Sequence, residues 1–409
     1  MTDNHSNTRT RWLRDNLTIL SASGFLSGIP TNMVTVVWQP FALSLGASIP
    51  MLGLLTSLGG FGGIVTSLVQ PIGGWLADRL GRRPFIAWSS VILIAGYALY
   101  MLAGLQHIWQ FLLPGIILLG VSQLARPARM SITAESVRAE RRGMGFSITQ
   151  LAAMLPGIFA PVLGGFIADR VNATAIFAAS ILFEALALLL VAAYLRETHM
   201  ARTAPTWAEL WSVVKRAVIP PRGLAGFYLC IAGDSFVWGI TLGILFGMFT
   251  RSYHFSDAQL GAMTSASAIT AVLTQLPIGR WVDRRGCKPS IIISELLGIP
   301  LMLMWAFASR WEVLVASYAL FGLVGSTWMP AVMTFVAARV PAEERAEAMG
   351  RMSAFRGVLA FPAPFIGSLL FEWGGIRLPV LVTMVGIILL VAGMFVLIQE
   401  PRQAPETNL

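Results

Sequence analysis

The sequence is short of charge. Only 12% of its 409 residues are Asp, Glu, Lys or Arg, about half the share usual in a soluble globular protein, which excludes a large soluble core. Cysteine is scarce as well. Cys230 lies in an apolar run and Cys287 in a short basic loop, so no disulfide framework is implied. The four histidines, His5, His107, His199 and His254, fall at loops or termini and make no metal-ligand spacing. No His-Glu-x-x-His, Gly-x-Ser-x-Gly or lysine-bearing phosphate loop occurs. The chain therefore reads as a non-enzyme without metal or cofactor. It has no ATPase domain, so uphill work would have to draw on an ion gradient or on exchange.

What is present is apolar length. Hydrophobic residues make up 56% of the chain and mean hydropathy is +0.71. They arrive in about a dozen continuous runs, each able to cross ~30 Å of hydrocarbon as a helix. Backbone in lipid must satisfy itself within helices or closed barrels, and a barrel would alternate apolar with polar residues. The class is an all-α membrane protein. The predicted spans are 17–40, 51–77, 84–105, 109–134, 144–168 and 174–195, then 223–249, 258–281, 289–308, 312–338, 347–371 and 377–399. The first apolar stretch is too long for a signal-peptide core and reads as a span. The longest polar break, 196–222, separates an N-terminal bundle (1–195) from a C-terminal bundle (223–409).

Net charge is +9, with an isoelectric point near 10.3. In a soluble chain that would suggest nucleic acid, but here the basic residues sit in alternate connections. One side of the spans offers only Arg170, Arg251, Arg310 and Arg377. The other includes Arg9, Arg11, Arg14, Arg79, Arg82, Arg83, Arg138, Arg141, Arg142, Lys215, Arg216, Arg284, Arg285, Lys288 and Arg345. The imbalance predicts a multi-pass protein of the inner membrane with both termini cytoplasmic and no nucleic-acid partner.

A repeat organises the chain. Gln70–Pro84 reads QPIGGWLADRLGRRP and Gln275–Pro289, 205 residues on, reads QLPIGRWVDRRGCKP. Gly74, Asp78, Gly81, Arg83 and Pro84 pair with Gly279, Asp283, Gly286, Lys288 and Pro289. Gly74 and Gly279 are small enough for close helix approach. Asp78 and Asp283 can accept from exposed N–H groups of a neighbouring helix end. Gly81 and Gly286 can take a positive φ, and the prolines suit a first helical turn. The arginines between them are expected to face anionic lipid. An ordinary basic loop explains the arginines but not two copies of Gly-x-x-x-Asp-x-x-Gly in register.

Gly74–Arg83 resembles, nearly letter for letter, the signature loop Gly-x-Leu-Ala-Asp-Arg-x-Gly-Arg-Arg of the major facilitator superfamily. Pro127 matching Pro330, and Pro161-x-x-Gly164 matching Pro364-x-x-Gly367, extend the repeat. The resemblance covers essentially the whole chain. It implies two six-helix bundles related by a pseudo-two-fold axis, alternating access, and a cavity lined by the first, fourth, seventh and tenth spans. The two loops, with Arg82 and Arg83 in the first, would act as a conformational gate. The expected partners are a small-molecule solute and membrane lipids, with the chain acting as a monomer.

Span 5, PGIFAPVLGGFIAD, resembles a degraded antiporter motif through Pro161, Gly164 and Gly165, with Ala160 and Pro156 where glycines are expected. It implies export, although small residues and prolines also simply let a helix bend and pack. The arginine that many proton-coupled members carry in span 4 is missing from Ile116–Gly120, so the family's proton relay does not transfer directly. A charge near the bilayer centre costs ~2.5–3.5 kcal/mol, which singles out Asp234. Trp238 lies one turn on, and the two would suit a cationic aromatic solute or a proton. The alternative is an Asp234 that only bonds helix to helix. Arg126 and Arg129 could hold an anion, or snorkel, or pair with Glu135. Glu184 and Glu295 read as structural, and Arg356 as similar to Arg126. Thr264, Ser267, Ala271 and Thr274 form a packing stripe. Trp328, Asn32 and Gln39 are cavity residues by span assignment. The reading is proton-coupled export of an amphipathic drug-like or metabolite compound. Import or exchange of an organic anion, lipid translocation, and a non-transporting receptor on the same fold stay open.

Overall fold

The structure is a computed structural model. It describes residues 16–398 apart from 60–62, 138–141, 199–208, 210, 213–214, 216–217, 222 and 341–344. The described membrane-length elements are helices. The first half holds α1 (Asn16–Ser44), α2 (Ile49–Gly59 and Ile64–Leu80) and α3 (Arg82–Gln106). After these come α4 (Leu112–Ser122 and Arg126–Glu135), α5 (Arg142–Met154 and Pro156–Arg170) and α6 (Ala173–Tyr194). The second half holds α7 (Ala225–Leu242 and Leu245–Tyr253), α8 (Asp257–Arg285) and α9 (Cys287–Phe307). It ends with α10 (Trp311–Arg339), α11 (Arg345–Ala360 and Ala363–Gly374) and α12 (Arg377–Leu397). The connections after α2 and α8 mark the basic end of the molecule; those after α1 and α7 mark the far end.

Eleven of these helices are long and apolar enough to cross a membrane. The twelfth, α8, has 29 residues, about 43 Å of helix. It falls short in hydropathy for a reason visible in its sequence. Thr264, Ser267, Thr270 and Thr274 punctuate its middle, and Arg280, Asp283, Arg284 and Arg285 close it. The stripe faces α10, where Thr274 and Ser326 share a hydrogen bond of 2.9 Å.

Proline and glycine decide where helices break. A proline removes an amide and crowds the carbonyl four residues back. Pro156 opens the second part of α5 and Pro362 precedes the second part of α11. In α4 a 3-10 turn, Gln123–Ala125, precedes Arg126 and Pro127. The symmetry is imperfect here, because Pro330 sits inside an unbroken α10. The break in α7 falls at Gly243 and Ile244.

The halves meet through α5 against α8 and α2 against α11. Glycine permits the first contact: a Cβ on Gly165 would collide with the Asp257 carbonyl, and one on Gly261 with the Pro161 carbonyl. Packing of α8 follows Pro156–Arg170 of α5 and does not continue along Arg142–Met154. The halves are therefore joined at the far end along both seams, stay packed toward the basic end between Ile64–Leu80 of α2 and Arg345–Ala360 of α11, and part there between α5 and α8. The core behind these seams is aromatic in the second half, where buried Trp305 donates to Ser317 Oγ at 2.9 Å.

Candidate functional site

Asp234 does not stand alone. From α7 it is hydrogen-bonded to Glu295 of α9 and to Ser235. The Trp238 indole, one turn further, donates to Glu295 Oε2 at 2.9 Å. Glu295 is 0% exposed and Asp234 7%, so the pair lies inside the second half. Two ionised carboxylates offer only acceptors, so a carboxyl–carboxyl hydrogen bond requires a proton between them. Glu295 Oε1 has no hydrogen-bond partner among the described residues. Arg356 of α11 lies within electrostatic reach of Asp234 on one side and of Arg126 on the other. Arg126 stands at the first turn after the α4 break and is solvent-accessible. Its reach to Arg356 places it on the side of the first half that is turned toward the second. The arrangement runs from that side inward: Arg126, Arg356, Asp234, Glu295, Trp238.

Several expectations are corrected. Glu295, read as structural, is the direct partner of Asp234. Trp238 is 7% exposed, packed on Phe321 and against Gly298, so it is not a wall of open cavity in this conformation. Gln39 is not in a cavity either. Its amide Nε2 donates to Gly243 O at 2.9 Å, and its Oε1 accepts from Gly247 N at 2.8 Å. One amide thus serves the last carbonyl of one part of α7 and an orphan N–H in the first turn of the next. Thr56 Oγ1 also donates to Gly243 O, at 3.0 Å. Asn32 Nδ2 turns back on its own helix, to Gly28 O at 2.7 Å. Trp328 is half-buried, and its Nε1 has no partner among the described residues. Arg129 points inward to Ser23 Oγ at 3.3 Å, within electrostatic reach of buried Glu184. Glu135 pairs with Arg82.

The repeated loops differ from their expected reading in detail. Gly81 and Gly286 have φ of 95° and 90°, the left-handed region glycine tolerates. Close approach falls on Gly73, whose Cβ would collide with Leu124, because that glycine faces α4. Gly74 makes an ordinary contact with Pro127, and Gly279 has open space around it. Arg79, Arg82, Arg83 and Lys288 are engaged within the protein, while Arg284 and Arg285 are exposed. Arg79 binds Glu209 at 2.8 Å and lies over Trp75. Arg83 donates to Ala192 O near the end of α6, and Lys288 to Phe395 O near the end of α12 at 2.8 Å. These are cations at helix C-termini, the same device in both halves. The Arg83 amide also donates to Glu197 Oε2 at 2.8 Å. The side chains of Asp78 and Asp283 lie outside the described set, as do Arg9, Arg11, Arg14, Arg138, Arg141 and Arg216. In span 5, Gly164 lies against Met33 of α1 and Gly165 against α8, with Pro161 opposite Gly261.

A family model described as Major Facilitator Superfamily matches residues 20–250 and again 224–409. The chain belongs to the Major Facilitator Superfamily. It is a multi-pass membrane transporter, not an enzyme. Its relatives include the multidrug resistance protein MdtG of Enterobacter lignolyticus (strain SCF1), 24% identical over 388 residues, 91% of this chain and 89% of the relative. MdtG of Salmonella typhimurium (strain LT2) is 25% identical over 386 residues, 90% and 91%. Among solved superfamily structures, a POT family transporter in complex with 5-aminolevulinic acid superimposes with a TM-score of 0.75 at 13% identity, covering 93% of this chain and 95% of that one. A D-xylose-proton symporter gives 0.71 at 15%, covering 96% and 99%. At such identities the likeness is one of fold.

Proposed function

We propose that this transporter exports an amphipathic, cationic or neutral drug-like compound in exchange for protons, using the Asp234–Glu295 pair as the proton site. The observation that carries this reading is the hydrogen-bonded carboxyl pair itself, buried in the second half and linked through Arg356 to Arg126 of the first. A pair sharing one proton can release it when a neighbouring charge or a conformational change alters the balance. The relatives named multidrug resistance protein support the direction and the class of solute. Arginines concentrated at one end support cytoplasmic termini, which makes the basic end cytoplasmic and the far end external. In this reading an ion gradient stands in place of a cofactor, and the chain works as a monomer in the bilayer.

The test is accumulation of a fluorescent lipophilic cation in proteoliposomes driven by an imposed pH gradient. Wild type should concentrate the dye. Asp234→Asn and Glu295→Gln should not, while still exchanging dye across an equilibrated membrane. Gradient-driven accumulation that survives in both variants would overturn the assignment. A second reading rests on Arg126 and Arg356, one from each half, lying within electrostatic reach of each other: two guanidinium groups can hold one anionic group between them. Uptake of an organic anion that is lost in Arg126→Gln and Arg356→Gln, with no response to cations, would establish that reading instead.

A further inference from the structure

The far-end seam carries a second pair of carboxyl groups that the transport site does not use. Asp169 ends α5 in the first half, and Asp257 begins α8 in the second; both lie outside the predicted spans. The Asp169 carboxylate accepts from Asp257 N through Oδ1 and from Ala258 N through Oδ2, each at 3.0 Å. These are first-turn donors that α8 cannot satisfy itself. Its own cap, Ser256, accepts from Gln259 N instead. A carboxylate there is also favoured by the helix dipole. The two backbones are close enough that Gly165 and Gly261 admit no side chain, so the bonds exist only while the halves touch.

We propose that Asp169 and Asp257 form a proton-responsive latch that holds the far end closed, with Asp169 capping α8 across the seam and Asp257 weakening the closure when it ionises. The Asp257 backbone amide is held by the Asp169 carboxylate, and the Asp257 carboxyl lies within electrostatic reach of that same group. Burial and the Asp169 charge push Asp257 from 3.8 up to about 7. The other charged groups near this end are occupied or turned away. Arg170 lies over the Phe166 ring at 5.1 Å. Arg310 pairs with Glu312 at 3.6 Å, and Trp311 Nε1 is directed at Gln259 O. Arg251 and His254, closing α7, are exposed, while Tyr253 faces Arg377. The end of α1 brings no charge. Among these groups only Asp169 acts on Asp257 electrostatically.

The sign follows from linkage. The closed state binds the Asp257 proton up to about pH 7, whereas an open state, with the carboxyl in water, loses it near the ordinary value. Acidification across that window favours closure, by up to about tenfold in the closed-to-open ratio per pH unit. Above it the ratio is flat. On the orientation proposed above, protons outside the cell close the outer gate.

The experiment is a pulsed electron-paramagnetic-resonance distance between spin labels at Val171→Cys and Arg310→Cys in lipid nanodiscs. Both positions are exposed at the far end, one on each half, and the native cysteines are buried. Between about pH 7.5 and about pH 5 the wild type should shift toward the short distance. Asp257→Asn should hold the short distance at both values. Asp169→Leu should populate the long one at both. An unchanged pH response in Asp257→Asn overturns the proposal, as does an unchanged distribution in a monodisperse Asp169→Leu. Should Asp169→Leu fail to purify as a monodisperse peak, Asp257→Asn decides alone. The readout is a distance, so its failure leaves gradient-driven dye export untouched, and the reverse holds too.

Discussion

A single buried proton acceptor in a membrane bundle is costly enough to demand a partner, and at the residue scale Asp234 finds one in Glu295. The Trp238 indole fixes the position of Glu295 by a hydrogen bond rather than by contact alone. Trp238→Phe keeps the ring that packs on Phe321 but leaves a buried carboxyl oxygen without its donor. The expected cost is about 1–3 kcal/mol, read as a lower melting temperature of the detergent-purified protein. Because the same change frees Glu295 to reorient, gradient-driven export should fall further than stability alone accounts for. Equal melting and equal export would show that the indole bond does nothing. Asp234 and Trp238 were legible in the sequence as a charge and an aromatic one turn apart in an apolar run. Glu295 was not, since it lies 61 positions on in a different helix, and only packing brings it across.

At the scale of the element, broken helices are the working parts. The break in α7 exposes a carbonyl and an N–H that Gln39 spans from the other half, and Thr56 shares the carbonyl. Gln39→Leu should remove two far-end bonds at about 0.6 kcal/mol each, the average for interhelical bonds in membranes. That corresponds to an open-state population raised roughly five- to tenfold, measurable as faster labelling of a far-end cysteine. Gly165→Val should be harsher, because it forces α5 from α8; the fold should survive, with transport lost. Thr241 and Thr383 share a 2.7 Å bond between α7 and α12 within one half. Thr241→Val should therefore lower the melting temperature without altering labelling at the far end, a contrast that separates seam from bundle. Proline announced the breaks in α4, α5 and α11. Nothing in the sequence distinguishes Pro330, which α10 absorbs, from Pro127, which α4 does not, because the outcome depends on what each helix packs against.

The whole molecule was largely legible. Twelve apolar runs and a 205-residue repeat imply the two-bundle plan, and the span ends agree with the helices to within a few residues. The repeat also foretold positive φ at Gly81 and Gly286. It did not reveal that Arg83 and Lys288 reach helix ends, because a pattern of arginines reads equally well as lipid-facing or as helix-capping. Arg83 and Lys288 occupy equivalent places, each at the C-terminal end of the last helix of its half. Arg83→Ala and Lys288→Ala should each cost about 0.3–1 kcal/mol. The losses should add in the double variant, since the two sites share no partner; melting curves of the three proteins check this. Strong non-additivity would mean that the halves do not settle independently.

Gln39, Thr56 and Asp169 share one property: each reaches across the seam to backbone rather than to a side chain. To these three contacts the receiving half contributes only backbone groups, although its Gly261 must also stay bare for α8 to reach α5. Sequence drift there spares these bonds as long as α7 still breaks, α8 still begins in the same place and Gly261 stays bare, whereas drift at three positions in the first half weakens them. The burden of inheritance at this gate is one-sided. A chimera with a distant relative's second half should still shut if that half keeps a glycine at the place of Gly261, and one with a distant relative's first half should shut only if it brings its own side chains for these bonds.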